Sequence, residues 1–256
     1  MLLVTLGFLT LLSDTVPLEI RQGRPVIDGV YVNGQGPYRF LLDTGEEKNQ
    51  LEGGLAQSLQ LKTTLGINLL TATGVVKAFG ARGLTIRVGP MEADRQDVLF
   101  TRLDALHQWS ADVQGILGQA FLSRFDYLLD LRHHRMEFGK QQSEGLHVPF
   151  EILGGVPVVS TNLGMLALDS GVDQVVLFGK DGSESPWKLP LRTEAGFVTA
   201  VIDRNRPLVL GGRSIHYSRA LVIRQPPRVS QNGVLPVSLF RTVYVCNSGG
   251  YLVLTQ

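Results

Sequence analysis

The chain has 256 residues, of which 44% are hydrophobic and 18% are charged, a composition typical of a folded protein rather than a disordered or fibrous one. Its 24 basic and 23 acidic residues leave a formal net charge of +1. No long basic run is present that could follow a phosphate backbone, so nucleic acid is not an expected partner. The single cysteine, Cys246, excludes an intramolecular disulfide and a multi-cysteine metal site.

The first twelve residues (MLLVTLGFLTLL) are almost wholly apolar. This run has the length of a signal-peptide core and is too short for a membrane-spanning helix. We therefore predict that residues 1–16 are a signal peptide or an N-terminal anchor, and that the protein is exported to the periplasm or the extracellular space. No basic residue precedes the run and no small-residue cleavage site follows it, so a buried first strand or a misassigned start codon are the alternatives.

From about residue 16 onward, the pattern predicts short strands separated by Gly, Pro, Asn and Asp, which is typical of an all-β protein. Residues 30–32 and 38–42 flank the turn sequence NGQGP and predict a hairpin. Residues 84–88 alternate like a strand. Apolar residues at helical spacing predict a short helix over 51–61, and another is expected over 119–125.

The two halves of the sequence resemble each other in the same order along the chain. Residues 38–45 match 164–171, residues 84–100 resemble 208–223, and residues 115–122 resemble 233–240. An internal repeat of this kind predicts two similar lobes. We place them at residues 17–150 and 151–256.

The best-matched segments each end an apolar strand with an Asp-(Thr/Ser)-Gly sequence, namely Asp43-Thr44-Gly45 and Asp169-Ser170-Gly171. Glycine lets the backbone turn sharply after the aspartate, and the hydroxyl group can lock the turn. If the lobes pack about a pseudo-two-fold axis, Asp43 and Asp169 meet and share a proton. One carboxyl group then accepts a proton from water while the other hydrogen-bonds a carbonyl oxygen, which is the chemistry of amide hydrolysis.

On these motifs the chain resembles the retropepsin-like aspartic proteases, with two lobes in one chain as in pepsin. Residues 40–45 (FLLDTG) and 116–118 (ILG) carry the resemblance, which covers most of residues 21–256. It implies an all-β fold of two β-barrel lobes related by a pseudo-two-fold axis, with a few short helices.

The resemblance also implies an aspartic endopeptidase in which Asp43 and Asp169 activate a water molecule. It implies no metal and no organic cofactor, a peptide or protein substrate in an extended conformation, and a monomer of two lobes. The residues implied to support the catalytic loops are Thr44, Gly45, Ser170, Gly171, Ile116, Leu117 and Gly118. Thr73, Gly74 and Val75 are implied to form the flap over the substrate.

Three features depart from the family pattern. Glu46 and Glu47 follow the first Asp-Thr-Gly, where a small residue is usual. Pro236 replaces the glycine of the second supporting segment and removes a backbone donor. In addition, no flap is evident between residues 191 and 206. They motivate a second hypothesis, a catalytically weak or inactive module that binds extended peptides. A third hypothesis is a β-rich envelope protein whose two Asp loops lie far apart.

The remaining reactive side chains indicate no other site. The five histidines have no metal-binding spacing, and His133-His134 is expected at a hairpin tip. Cys246 is expected to be buried and inert in a late strand. The zinc-hydrolase, serine-hydrolase and nucleotide-binding motifs are missing from the sequence, which argues against those enzyme classes.

Overall fold

The structure, a computed structural model, describes residues 15–71, 74–140, 144–179, 188–193, 196–204, 206–226 and 229–256. Apart from residues 15 and 16, the predicted signal peptide lies outside these residues. The strands of the first half are β1 (Thr15–Arg21), β2 (Arg24–Val32), β3 (Gln35–Leu42), β4 (Asn49–Glu52), β5 (Leu65–Thr71), β6 (Gly74–Val88), β7 (Met91–Thr101), β8 (Gly115–Leu117), β9 (Tyr127–Asp130) and β10 (Arg135–Phe138). Its helices are α1 (Gly53–Ser58), α2 (Asp104–His107) and α3 (Gln119–Leu122).

The second half is also built mainly of strands. Its strands are β11 (Leu146–Leu153), β12 (Val156–Thr161), β13 (Gly164–Asp169), β14 (Val175–Gly179), β15 (Lys188–Thr193), β16 (Gly196–Asp203), β17 (Leu208–Leu210), β18 (Arg213–Ile215), β19 (Ala220–Arg224), β20 (Gly233–Pro236), β21 (Thr242–Cys246) and β22 (Tyr251–Thr255). A single 3₁₀ turn, Val237–Leu239, is described after β20. The predominance of strands confirms the predicted all-β class.

The strand pairings of the first half recur in the second. The strand before the first Asp loop, β3, runs parallel to β8, and the strand before the second loop, β13, runs parallel to β20. β4 lies between β7 and β8, as β14 lies between β19 and β20. These pairings support the prediction that the halves are copies of one unit, which stays a prediction, as do the proposed lobe boundaries.

One sheet contains strands from both halves, in the order β1, β10, β9, β21, β22, β11. β9 and β21 join the halves through pairs such as Leu129 with Val243. Both β1 and β11 leave this sheet midway: β1 continues along β2 and β11 along β12. The two halves are therefore tied together by backbone hydrogen bonds as well as by side-chain packing.

A continuous buried core runs through both halves and includes Phe40, Leu42, Leu117, Leu168 and Leu235, each fully buried. Those residues lie on the strands that lead into and support the two Asp loops, so the loops rest on the buried core. In the described part of the chain, no helix is long and apolar enough to cross a membrane.

Local predictions differ from the structure mainly in their boundaries. The hairpin of β2 and β3 is confirmed, and it turns at Asn33-Gly34, since Val32 pairs with Gln35. The helix predicted over 51–61 is shorter, because residues 51 and 52 belong to β4 and pair with β7. The helix predicted over 119–125 ends at Leu122.

Candidate active site

The two Asp-(Thr/Ser)-Gly loops contact each other and are locked together by buried hydroxyl groups. The main-chain N–H of Thr44 donates to Ser170 Oγ at 2.9 Å, and Ser170 Oγ donates to the Leu42 carbonyl at 2.6 Å. In return, Thr44 Oγ1 donates to the Leu168 carbonyl at 2.9 Å. Thr44 and Ser170 are both fully buried. Each half thus fixes the backbone of the other half's loop.

This interlock places the two aspartates side by side. The N–H of Gly45 donates to Asp43 Oδ1 at 2.9 Å, and the N–H of Gly171 donates to Asp169 Oδ1 at 2.7 Å. The two carboxyl groups are within hydrogen-bonding reach of each other. A methyl group on Gly45 would overlap the Asp169 carboxyl, and one on Gly171 would overlap the Asp43 carboxyl. Glycine is required at both places because each carboxyl packs against the opposite loop.

The environment disfavours ionisation of both groups together. Burial raises the pKa of Asp43, and the N–H of Gly45 opposes this effect. Burial raises the pKa of Asp169 well above its usual range, and the negative charge of Asp43 raises it further. Two adjacent carboxyl groups with raised pKa values retain one proton between them at a pH where isolated carboxyl groups are ionised.

A buried polar network supports the first loop. The N–H of Asp43 donates to the Leu117 carbonyl at 3.0 Å. Gly118 N–H donates to Asn49 Oδ1 at 2.9 Å, and Gln119 Nε2 donates to the Thr44 carbonyl at 2.7 Å. Asn49 and Gln119 were not predicted as site residues, although their short distance in sequence from the predicted loop and supporting segment marks them as neighbours.

The second loop has apolar residues at the positions of that network. β20 follows β13 in register, so that Asp169 is opposite Pro236. Val175 takes the position that Asn49 has in the first half. Asn49 begins β4 and pairs with Val98 on β7, and Val175 begins β14 and pairs with Ala220 on β19. Pro236 has no backbone N–H to donate, and Val175 has no side-chain oxygen to accept a hydrogen bond. Pro236 does remove a backbone donor, as expected, but Val175 stands in the place of Asn49, the side chain that accepts the corresponding N–H in the first half.

Of the predicted flap residues, Thr73 lies outside the described residues. The backbone of β5 and β6 forms a hairpin in which Thr71 pairs with Gly74 and Leu70 with Val75. The second half has a similar hairpin, although no flap was evident there in the sequence. Its strands are β15 and β16, and Thr193 pairs with Gly196. A shared Thr-x-x-Gly pattern at the tips was the available signal.

The other reactive side chains are engaged elsewhere. His133 lies in the turn between β9 and β10, as predicted, and its Nδ1 is 2.7 Å from Asp130 Oδ2. Cys246 is buried at the end of β21. Across the part of the chain that the structure describes, His, Cys, Asp and Glu side chains form no group of three or more that could hold a metal ion.

Comparison with known proteins agrees with this geometry. Residues 29–121 match a family model described as aspartyl protease. The match confirms the resemblance to the retropepsin-like aspartyl proteases over these residues, which include Asp43 and residues 116–118. No curated protein matches the chain. The match to this family supports a hydrolase that acts on peptides or proteins.

Proposed function

We propose that the protein is an aspartic endopeptidase that hydrolyses peptide bonds with a water molecule activated between Asp43 and Asp169. The observation that carries the proposal is the adjacency of the two carboxyl groups on interlocked loops, with raised pKa values. A carboxylate beside a protonated carboxyl group can remove a proton from water and polarise a carbonyl oxygen in one step. Neither operation needs a metal ion or an organic cofactor.

The surroundings of the dyad suit this chemistry. The hydroxyl interlock and the buried core hold the carboxyl groups at a fixed separation, which reduces the entropy lost when the reacting atoms are brought together. The two Thr-x-x-Gly hairpins supply backbone that can pair with an extended peptide, in the way an added strand pairs with a sheet edge. We therefore propose that extended peptides or unfolded proteins are the substrates.

The test is cleavage of casein between pH 3 and pH 8 by the wild type and by Asp43→Asn, with and without a peptide inhibitor that carries a hydroxyl group in place of the scissile carbonyl. We expect cleavage by the wild type, inhibition by the hydroxyl peptide, and loss of cleavage in the variant. Asp104→Asn is the matched control, because Asp104 is half-exposed and pairs only locally, with Arg102 at 2.8 Å. A folded wild type that binds peptides and cleaves none would favour the inactive binding module.

Two further parts of the proposal concern the protein's state. Because both aspartates of the site lie in one chain, we propose a monomer, which light scattering after size-exclusion chromatography would test. From the apolar sequence of the first twelve residues we propose export. Cell fractionation and sequencing of the mature N-terminus would test that point, and recovery of the intact chain in the cytoplasm would contradict it.

A further inference from the structure

The two Asp loops match in backbone but differ in the charges placed beside them. Arg24 directly follows the turn between β1 and β2, and the equivalent residue after the turn between β11 and β12 is Val156. Glu46 directly follows Gly45, and the equivalent residue after Gly171 is Val172. Both charged residues come from the first half, and both counterparts are valines. The dyad is therefore nearly symmetric in geometry and asymmetric in electrostatics.

Arg24 lies on the side of Asp43. Its Nη2 donates to Asp173 Oδ1 at 3.0 Å, and Asp173 follows Gly171, against which the Asp43 carboxyl packs. The guanidinium group also lies over Trp109, with Cζ 5.3 Å from the ring centroid, and the side chain is only 24% exposed. These two contacts fix a positive charge near Asp43. That charge lowers the pKa of Asp43 against the larger raising effect of burial.

Glu46 acts on both aspartates, through its main-chain N–H, which lowers the pKa of Asp43, and through its negative charge at Asp169. It follows Gly45, against which the Asp169 carboxyl packs, and its Oε1 accepts the N–H of Lys48 at 3.2 Å. The negative charge of Glu46 adds to burial and to Asp43 in raising the pKa of Asp169. The next residue, Glu47, is instead paired with Lys48 Nζ at 2.7 Å and is half-exposed. Glu47 is therefore the paired and more exposed neighbour with which the effect of Glu46 can be compared.

We propose that Arg24 and Glu46 fix the shared proton on Asp169, so that Asp43 is the base and Asp169 is the acid. The assignment rests on the proposed function, which it makes specific. Arg24 and Glu46 are positioning residues, since they act through the aspartates and not on the substrate. Asp173 has its own part, because it holds Arg24 in place.

The reaction then balances as follows. A water proton passes to Asp43 while the water oxygen bonds to the carbonyl carbon, and the Asp169 proton passes to the carbonyl oxygen, which gives a neutral gem-diol. Asp43 next donates its proton to the amide nitrogen. As the C–N bond breaks, one gem-diol hydroxyl returns its proton to Asp169. The products are an amine and a carboxylic acid, and the dyad regains its starting protonation.

Carbon-13 NMR titration of aspartate-labelled protein tests the proton's location without needing any turnover. Asp43→Asn leaves Asp169 to titrate alone, and Asp169→Asn leaves Asp43 alone. We expect the pKa of Asp169 in the first variant to exceed that of Asp43 in the second by about one pH unit or more. Equal values, or a higher value for Asp43, would overturn the assignment.

Second substitutions test the two positioning residues. In the Asp169→Asn background, Arg24→Met should raise the pKa of Asp43, and Arg24→Lys, which keeps the charge, should restore it. In the Asp43→Asn background, Glu46→Gln should lower the pKa of Asp169 by about one pH unit. The matched controls are Glu47→Gln and Arg102→Met, whose side chains are 51% and 87% exposed. Shifts of the same size in the controls would refute a specific role for Arg24 and Glu46.

Failure of this inference and failure of the proposed function are distinguishable. In the active enzyme, Glu46→Gln should move the alkaline limb of the pH–rate profile to lower pH, and Arg24→Met should move the acid limb to higher pH. Cleavage with two equal carboxyl titrations would overturn the assignment and leave the protease. The expected NMR asymmetry in a protein that cleaves nothing would support the proton's location and overturn the proposed function.

Discussion

The hydroxyl oxygen of Ser170 accepts a hydrogen bond from the main-chain N–H of Thr44 in the opposite half of the chain, with 2.9 Å between Oγ and N. The same hydroxyl donates to the carbonyl of Leu42, so that one serine satisfies a donor and an acceptor on either side of Asp43. The position of the Asp43 carboxyl group therefore depends on a serine in the other half of the chain, 126 positions beyond Thr44 in sequence. Precision at the site arises from contacts between the halves, not from either loop alone.

Ser170→Ala should destabilise the protein by about 3 kcal/mol, because it leaves the Thr44 N–H and the Leu42 carbonyl buried without partners. Chemical denaturation measures this change. Ser58→Ala is the control, since its hydroxyl makes one local bond, to the Leu55 carbonyl at 2.8 Å, at the end of α1. A loss for Ser170→Ala no greater than for Ser58→Ala would show that the interlock contributes little.

Gly171→Ala should abolish most proteolysis while the protein still folds. The added methyl group would overlap the carboxyl group of Asp43 and push it out of alignment with Asp169. A displacement of this kind costs on the order of a hundred-fold in rate. Gly54→Ala is the matched control, because a methyl group there meets no atom within 4 Å. Casein cleavage at full activity by Gly171→Ala would contradict the packing described for the dyad.

Asn49→Val should cost about 2 kcal/mol of stability, because Gly118 N–H and Gln96 Oε1 both lose their partner in a buried site. Thermal and denaturant unfolding measure the effect. The second half supplies the reciprocal case, since the corresponding residue there is already valine, Val175.

That reciprocal case is Pro236→Gly, which introduces a buried N–H at the position that Gly118 has in the first half. We expect it to destabilise the protein by about 1–2 kcal/mol. The double variant Val175→Asn with Pro236→Gly should recover part of that loss, because it provides an acceptor for the new donor. Additive losses in the double variant would argue that the two positions are not coupled.

The sequence was sufficient to predict the all-β class, the pairing of the two Asp loops and the supporting segment at residues 116–118. Each of these has a local signature: an apolar strand followed by a turn residue, or two apolar residues followed by glycine. The polar network was not predictable in the same way. Amide side chains usually face solvent, and only the fold shows that Asn49 on β4 and Gln119 on α3 point inward.

The second hairpin was missed for a related reason. The strands β15 and β16 lack the clean apolar alternation of residues 84–88, and Pro190 interrupts the first of them. Proline within a run lowers the expectation of a strand. The pairing of β16 with β19 supplies the hydrogen bonds and apolar contacts that stabilise the hairpin, and those contacts are distant in sequence.

A charged network on the outer surface of the first half should affect stability in a pH-dependent way. Arg21 binds both carboxylate oxygens of Asp112, at 2.5 and 3.0 Å. The hydrogen bonds from Arg21, and then from Ser110, hold the pKa of Asp112 well below its usual range. Because the pKa is lowered in the folded state, the stabilisation is present above about pH 4 and is lost as the pH falls through the folded-state value.

Asp112→Asn should therefore lower the free energy of unfolding by about 1 kcal/mol at pH 7, a modest value because the carboxylate is half-exposed. The difference from the wild type should shrink as the pH is lowered below about 4. Urea unfolding at a series of pH values measures this trend, with Asp104→Asn as a control that should change little. A difference that is constant across the pH range would contradict the ionic origin of the effect.

The most direct measurement is the initial rate of casein cleavage at the pH of maximum activity for the wild type, Asp43→Asn, Asp169→Asn and Asp104→Asn, each shown to be folded. We predict that both dyad variants lose about a thousand-fold or more of the wild-type rate and that Asp104→Asn retains it. Cleavage that survives in either dyad variant, or a folded wild type that is inactive at every pH, would contradict hydrolysis by a water activated between Asp43 and Asp169.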